Sequence, residues 1–317
     1  MQQNHESTCI DRRQMLATTV AAGAGALLWP GHGEANTVAE HPWIDAHSHI
    51  WTRDIEKFPL AKGQTLDDLS PPSFTTEELV EVARANGVGR VVLIQHGPYH
   101  GWDNSYVIHA ARAFPKAFRV VAMVDHYSQS PGQQMRRMLD DRVTGFRIRS
   151  SERDRDWLGG NMGEMWRTAA DTGQNICGLI NPEFIAPLDA MCQKHPETPV
   201  VIDHFARIGM SGAIEGSQID ELCRLARHKR VTVKLSAFYA LGRKEPPYLD
   251  LVPMIRRLLD AFGVERLMWA SDSPYQLQGK NNYAASIALI RDRLDFISES
   301  DRDWLLRKTA ERVFFFV

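Results

Sequence analysis

The chain has 317 residues, with 37 Lys and Arg against 39 Asp and Glu for a formal net charge of -2, and it is 44% hydrophobic and 24% charged. These values are close to those of ordinary globular proteins and leave room for one large domain or two average ones. Basic residues are scattered among carboxylates with no basic stripe, which argues against nucleic acid as a partner.

In chain order, residues 1–40 read as a leader rather than as part of the fold. Arg12 and Arg13 in DRRQML precede the weakly apolar ATTVAAGAGALLWP, and small residues near Ala35 offer a cleavage point. The pattern is similar to a twin-arginine export signal, and the apolar run is too short and too rich in Ala and Gly for a good membrane span. It predicts that the chain folds, engages the twin-arginine machinery and works in the periplasm or cell envelope, the mature chain starting near residue 36 and the folded domain spanning 41–317; the alternative is a disordered or weakly helical tail on a cytoplasmic protein. Cys9, Cys177, Cys192 and Cys223 form no CxxC pair. Cys177 and Cys223 fall in apolar surroundings and read as buried free thiols.

From residue 41 onward, short β-branched runs alternate with amphipathic segments. The runs predict strands at 43–47, 90–95, 118–124, 143–148, 175–180, 199–203, 230–236 and 266–271. Between and after them, apolar periodicity predicts helices at 75–87, 104–114, 132–141, 162–173, 183–195, 218–229, 249–263 and 283–295. The first helix opens on a capping-box pattern, Thr75 to Glu78, and stops at Asn86 and Gly87. Eight strand-helix units over some 270 residues match an α/β fold of the single-domain (β/α)8, or TIM, barrel type. A doubly wound sheet is the alternative, but no GxGxxG or GxxxxGK loop is present. The long connection 48–74, with Trp51, Arg53, Phe58 and Pro71-Pro72, would lie over the catalytic mouth of a barrel, so Trp51 is a candidate substrate contact.

In a barrel, chemistry gathers at the C-terminal ends of the strands. In WIDAHSHIW, residues 43–51, alternation puts His47 and His49 on one face with Asp45 below them. The other polar ends are Gln95 and His96, Arg147 and Arg149, Asp203 and His204, Lys234 and Ser236, and Ser271 and Asp272. Alone, His47 and His49 are as well explained as hydrogen-bonded histidines at a strand end, His204 as structural, Asp272 as a turn cap and Lys234 as a solvated tip. Together, His47, His49, His204 and Asp272 form a three- or four-ligand set suited to one catalytic zinc or similar ion. Asp272 could also take a proton from water. His96, His100 and His126 sit in loops where pocket contacts are possible, whereas the remaining histidines read as surface residues.

WIDAHSHIW, GFRIRS, VVIDHFARIG, VTVKLSAF and RLMWASDSPY, in that order, resemble the amidohydrolase superfamily and, within it, the amidohydrolase-2 group that includes sugar-lactone and pyrone-dicarboxylate lactone hydrolases. The resemblance spans about 41–315. It implies a barrel in which His47, His49, His204 and Asp272 hold one divalent metal, zinc or manganese, or in which the same groups bind substrate and activate water without one. It also implies substrate contacts from Arg147, Lys234, Gln95, His96, Trp51 and Tyr275. Arg147 is suited to a two-point clasp of a carboxylate. The bridging lysine after strand four and the histidine after strand five that binuclear relatives carry have no counterpart in GFRIRS or NICGLINPEF, which leaves one metal or none. Thr309 stands where the family's closing stretch usually has asparagine, a change expected to affect local capping.

These observations predict a hydrolase of a small-molecule lactone, of a sugar acid or a carboxylated ring, with Asp272 activating water. The rivals are a metal-dependent decarboxylase of the same group and a binding protein with a decayed site. Homo-oligomerisation is left open.

Overall fold

The structure is a computed structural model that describes residues 41–150 and 156–317. The Arg12–Arg13 leader, Cys9 and residues 151–155 of the loop after the fourth strand lie outside the described residues.

Eight parallel strands run in sequential order, β1 (Trp43–Ser48), β2 (Val88–Ile94), β3 (Phe118–Ala122), β4 (Val143–Arg149), β5 (Asn175–Leu179), β6 (Val200–Ile202), β7 (Val231–Leu235) and β8 (Leu267–Trp269). They are covered by α1 (Thr76–Arg84), α2 (Ser105–Ala113), α3 (Pro131–Arg137), α4 (Met162–Thr172), α5 (Ile185–Lys194), α6 (Gly216–Arg224), α7 (Val252–Phe262) and α8 (Tyr283–Asp292). Each strand is buried on both sides, by the barrel interior and by the helices, which is why the runs are nearly continuous in Val, Ile and Leu. The expected single-domain (β/α)8 barrel is therefore what the chain forms, and the strands fall within about two residues of the sequence reading.

The Thr75–Glu78 capping box is present, with Glu78 N–H donating to Thr75 Oγ1 at 3.4 Å and Thr75 N–H donating back to Glu78 at 2.5 Å. α3 and α6 stop earlier than predicted and finish as tighter turns, Met138–Asp141 and Leu225–Arg227, a usual way to satisfy the last carbonyls. Cys177 and Cys192 are the buried thiols, whereas Cys223 is only half-buried.

β8 meets β1 through a short seam. Asp272 N–H donates to His47 O at 2.9 Å, His49 N–H donates to Ser273 O at 2.8 Å, and Ser48 bridges Ser273. Asp45 reinforces the seam from outside: it accepts from Ser271 N–H at 2.8 Å, Ser271 Oγ at 2.5 Å and Tyr283 Oη at 2.8 Å. Tyr283 opens α8 and packs on Trp269, so Asp45 lies on the helix side of β1. This corrects the expectation that Asp45 sits beneath the histidines on one face. A register shift between Asp45 and Ser48 breaks strict alternation and turns His47 into the barrel.

The lower end of the barrel is closed by a segment that periodicity did not resolve. After α8 the chain forms α9 (Glu299–Asp303), a π-helical turn (Trp304–Lys308) and α10 (Thr309–Phe314). Ala310 and Phe314 join Ile44, Ala46, Val92, Val201 and Met268 in the interior core. Asn175 Nδ2 donates to Val313 O at 2.8 Å and ties the plug to β5. Thr309 is fully buried and donates to Glu265 O at 3.1 Å, so it anchors α10 beneath β8 instead of capping a helix. Among the described residues, no helix is long and apolar enough to cross a membrane.

Candidate active site

Above the apolar plug lies a layer of buried charge. Lys234, fully buried on β7, sits 5.2 Å above the Phe314 ring and pairs with Asp203 Oδ1 at 3.0 Å. Its Nζ is also 3.2 Å from His47 Nδ1. Arg147 Nη2, from β4, donates to Asp203 Oδ2 at 3.2 Å and lies 2.9 Å from His47 Nε2. Burial by itself would raise the Asp203 carboxyl, but Lys234, His47 and Arg147 outweigh it and hold the group well below the usual carboxylate range. Asp203 is therefore an anion that fixes two cations and one imidazole, and the site is organised around a residue read from the sequence only as a polar strand end.

The next layer up carries the groups expected to do chemistry. Asp272 Oδ1 is 3.4 Å from both His47 Nε2 and His49 Nε2, and Asp272 Oδ2 is 3.7 Å from His204 Nε2. His49 Nδ1 lies 2.8 Å from Ile94 O, so that nitrogen carries the proton and Nε2 faces Asp272 with its lone pair. His204 Nδ1 contacts Ser236 Oγ at 2.8 Å. Burial lowers His204 to about 4 against the pull of Asp272 and Asp203, so the ring is neutral near pH 7. For Asp272, burial is outweighed by its neighbours His204, His49 and His47, and the group is a carboxylate. Tyr239, on the loop after β7, donates to Asp272 Oδ2 at 2.8 Å.

Two acceptors facing each other, the His49 lone pair and a carboxylate oxygen, call for a proton or a cation between them. A tetrahedral zinc with bonds of about 2.1 Å would space its ligand atoms by roughly 3.4 Å, matching the 3.4 Å separations of Asp272 Oδ1 from His47 and His49. The donor set fits one small divalent ion. Arg147 competes for the His47 position, because its Nη2 donates to that same Nε2.

The groups open into a cavity of about 270 Å³ lined by His49, His96, Arg147, Arg149, His204, Arg207, Tyr239, Asp272 and Tyr275, among others. A larger open groove, about 790 Å³, lies at the opposite end beside Asn175, Thr232 and Arg312 and holds none of the converging groups. His96 Nε2 meets Tyr275 Oη at 2.5 Å, and burial followed by His49 and Arg147 drives His96 down to about 2. His100 and His126 do not line the cavity, and His100 Nδ1 contacts Pro59 O at 2.9 Å.

Three sequence-based substrate contacts are placed elsewhere. Lys234 is sealed beneath the floor by Asp203 and His47. Gln95 turns away, its side-chain amide nitrogen Nε2 donating to Asp103 O in the loop after β2. Trp51 is fully buried, gives its indole N–H to Pro71 O at 2.8 Å and packs behind His96 and Tyr275. All three support the wall or floor from behind. Conversely, Tyr239 and Arg207 carried no readable signal, since both lie in loops whose direction is set by left-handed backbone at Ala237 and at His204–Arg207.

A family model described as Amidohydrolase (Amidohydro_2) matches residues 44–316. The chain is 29% identical over 238 residues to the L-fucono-1,5-lactonase of Burkholderia ambifaria, a match covering 73% of this chain and 80% of that protein. It is 25% identical to the 4-sulfomuconolactone hydrolase of Hydrogenophaga intermedia, covering 73% and 74% respectively. In fold it resembles an amidohydrolase from Burkholderia multivorans with bound zinc, with a TM-score of 0.69 and 20% identity over 86% of this chain and 99% of that one. With the match running from Ile44 on the first strand to Phe316 beyond the plug, the chain belongs to the amidohydrolase family and is an enzyme of the hydrolase type.

Proposed function

We propose that this hydrolase opens a lactone of an organic acid, with Asp272 as the group that moves the proton. The observation that carries the reading is Asp272 itself, ionised at the floor of the cavity and approached by His47, His49, His204 and Tyr239. The names of the relatives, both lactone hydrolases, support it. Water beside Asp272 gives up a proton to the carboxylate as its oxygen attacks the lactone carbonyl. His204 and Arg147 stand on the same floor as donors for the oxyanion that develops. Collapse of the tetrahedral species breaks the acyl–oxygen bond of the ring, and Asp272 returns its proton to the leaving alkoxide, giving a hydroxy acid. His96 and Tyr275 form one wall, and Trp51, Gln95 and Lys234 hold these groups in place.

His47, His49 and Asp272, with His204 adjacent, would hold one zinc or manganese ion. Such an ion supplies Lewis-acid polarisation of the carbonyl and a more acidic water. The contact of Arg147 with His47 Nε2 favours a weak site and a second, metal-free form of the same reaction, in which Arg147 provides the positive charge. Metal analysis of the purified protein, followed by assays with and without chelator on a panel of lactones and hydroxybenzoates, tests both points. About one equivalent of metal with chelator-sensitive acid release supports the metal form. Chelator-insensitive acid release supports the other, and carbon dioxide release without lactone opening rejects a lactonase in favour of a decarboxylase. The Arg12–Arg13 leader leads us to propose export as well, which cell fractionation of the wild type beside Arg12→Lys/Arg13→Lys would test.

A further inference from the structure

Tyr275 shares the turn after β8 with Asp272. That turn is pinned from behind: Gln276, fully buried, donates from Nε2 to Tyr248 Oη at 2.8 Å and to Asn282 O at 3.2 Å, and its backbone N–H reaches Asp272 O at 3.4 Å. One rigid piece of backbone therefore presents a carboxylate and a phenol to the same cavity. The Tyr275 ring also stacks on Tyr239 at 6.4 Å, and Tyr239 is the donor to Asp272 Oδ2, so the phenol stands beside the group that activates water.

The hydroxyl is held by His96, whose Nε2 lies 2.5 Å from Tyr275 Oη. His96 in turn is wedged among the rings of Tyr99 at 4.2 Å, His49 at 5.0 Å and Trp51 at 5.1 Å. Its Nδ1 is buried without a hydrogen-bond partner among the described residues, and that orphan decides the direction of the bond to Tyr275. A ring protonated on Nδ1 alone would bury an N–H with no acceptor, a rarer arrangement than a bare lone pair, so the proton belongs on Nε2. Whether the ring carries one proton or two, Nε2 then donates to Tyr275 Oη, and the phenol's own proton is left to find another acceptor. Tyr99 also faces Tyr275, but its hydroxyl is engaged by Ser70, accepting from the N–H at 3.1 Å and donating to the carbonyl at 3.4 Å. Burial, Tyr99 and Asp272 push Tyr275 up to about 13, so it keeps its proton and acts as a donor. An O–H whose oxygen already accepts a hydrogen bond is the stronger donor for it.

We propose that Tyr275 is a further catalytic residue, whose O–H, aimed by His96, donates to the oxyanion that forms on the lactone carbonyl as Asp272 directs water at its carbon. The inference rests on the lactonase reading and adds a neutral donor to His204 and Arg147. A donor aimed at charge that exists only in the transition state acts on kcat and not on KM. His96 is its positioning residue.

The test uses the full chain and three readouts. Tyr275→Phe keeps the ring and its stacking. It should lower kcat for δ-valerolactone by roughly 100-fold, the range of one oxyanion donor, with KM and the thermal melt nearly unchanged. The same loss is expected for dihydrocoumarin, whose leaving group is a phenolate. A loss that shrinks with this better leaving group would make Tyr275 the acid for the ring oxygen and overturn the oxyanion role, as would an effect on KM alone. His96→Leu should lose part of the same factor, His96→Gln, which can present an amide N–H near the Nε2 position, should recover some of it, and Tyr275→Phe/His96→Leu should be no slower than Tyr275→Phe, whereas additive losses would separate the two residues. If Tyr275→Phe melts early, His96→Gln and the wild-type spectrum carry the test. That spectrum is nitrogen NMR of histidine-labelled protein, with His96 assigned through His96→Gln: a protonated Nε2 is expected, and a bare Nε2 beside a protonated Nδ1 would commit the Tyr275 proton to the ring and overturn the proposal. The third readout is calorimetric binding of the cyclic phosphonate analogue of δ-valerolactone, a stable tetrahedral anion. Binding weakened by roughly 10- to 100-fold in Tyr275→Phe, the range of a hydrogen bond to a charged group, keeps the donor even in a protein that opens neither lactone, an outcome that counts against the lactonase reading alone. Binding that Tyr275→Phe leaves unchanged, or no binding by the wild type, overturns the donor even where lactones are opened.

Discussion

At the lower end of the barrel, Ala310 and Phe314 press into a core of Ile, Val and Met, and the groups there are satisfied by packing. At the upper end, Asp203, Lys234, Arg147 and three histidines are withdrawn from water, the backbone runs left-handed through His204–Arg207 and again at Asp272, and Arg147 Nε and His96 Nδ1 are buried without a hydrogen-bond partner among the described residues. The two ends share the same eight strands. What separates them is that side chains at the lower end meet apolar neighbours, whereas those above are held in geometries that only a surrounding network makes tolerable. Stability therefore comes mainly from below and reactivity from above, and substitutions at the two ends should have separable consequences.

The strongest challenge to this division is Asp272→Asn. Asparagine keeps the shape and tolerates the φ of 65° at this position. Lactone turnover is expected to fall by roughly 10³-fold, with a melting temperature close to that of the wild type. Steady-state kinetics beside a thermal melt checks both halves, and a variant that keeps its activity would remove Asp272 from the mechanism. Phe314→Ala is the mirror case. It should cost about 3–4 kcal/mol in denaturant unfolding, with kcat nearly intact while the protein is folded. A large kcat loss without a loss of stability would mean that the ends are not separable.

Acid should act on the upper end first. Folded His204 stays neutral down to about 4, whereas the unfolded ring takes up a proton near its ordinary 6.5. The unfolded state then binds more protons, so stability is lost as pH falls from about 6.5 to about 4, by about 3 kcal/mol from this residue. Urea midpoints measured against pH should decline less steeply in His204→Asn. The smallest effect expected is that of Tyr239→Phe, which removes the donor to Asp272 Oδ2. A loss of roughly 10-fold in kcat/KM, corresponding to one hydrogen bond to a charged group, would place Tyr239 as a positioning residue.

Most of the barrel was legible because its signals are local. Strand runs such as RVVLIQ and the Thr75–Glu78 box are read residue by residue, and HxH and SDSP mark two strand ends that must share a mouth once the eight units are counted. What was not legible depends on where the backbone turns after a strand. Gln95 and Trp51 stand in the expected positions along the chain, but the loop after β2 and the stretch to Pro71 draw their polar atoms away from the cavity. Arg207 and Tyr239 enter it because Ala237 and four residues from His204 adopt left-handed φ, which no propensity scale would assign to Ala, Phe or His. The plug escaped notice because RVFFFV shows no clean helical period, and its apolar residues found their place only against the barrel interior.

The register shift in β1 has a consequence for sequence drift. Asp45 serves the seam with Ser271 and Tyr283, while His47, two residues later, serves the cavity. A change at Asp45 leaves two hydroxyls and two backbone N–H groups, those of His47 and Ser271, without this acceptor in a buried place, and it loosens the strand that aims His47. Asp45, Ser271 and Tyr283 should therefore covary as a set among descendants of this chain, changing together or not at all. A library that randomises Asp45 alone should yield few folded members, whereas one that randomises all three together should recover apolar replacements that keep the barrel closed.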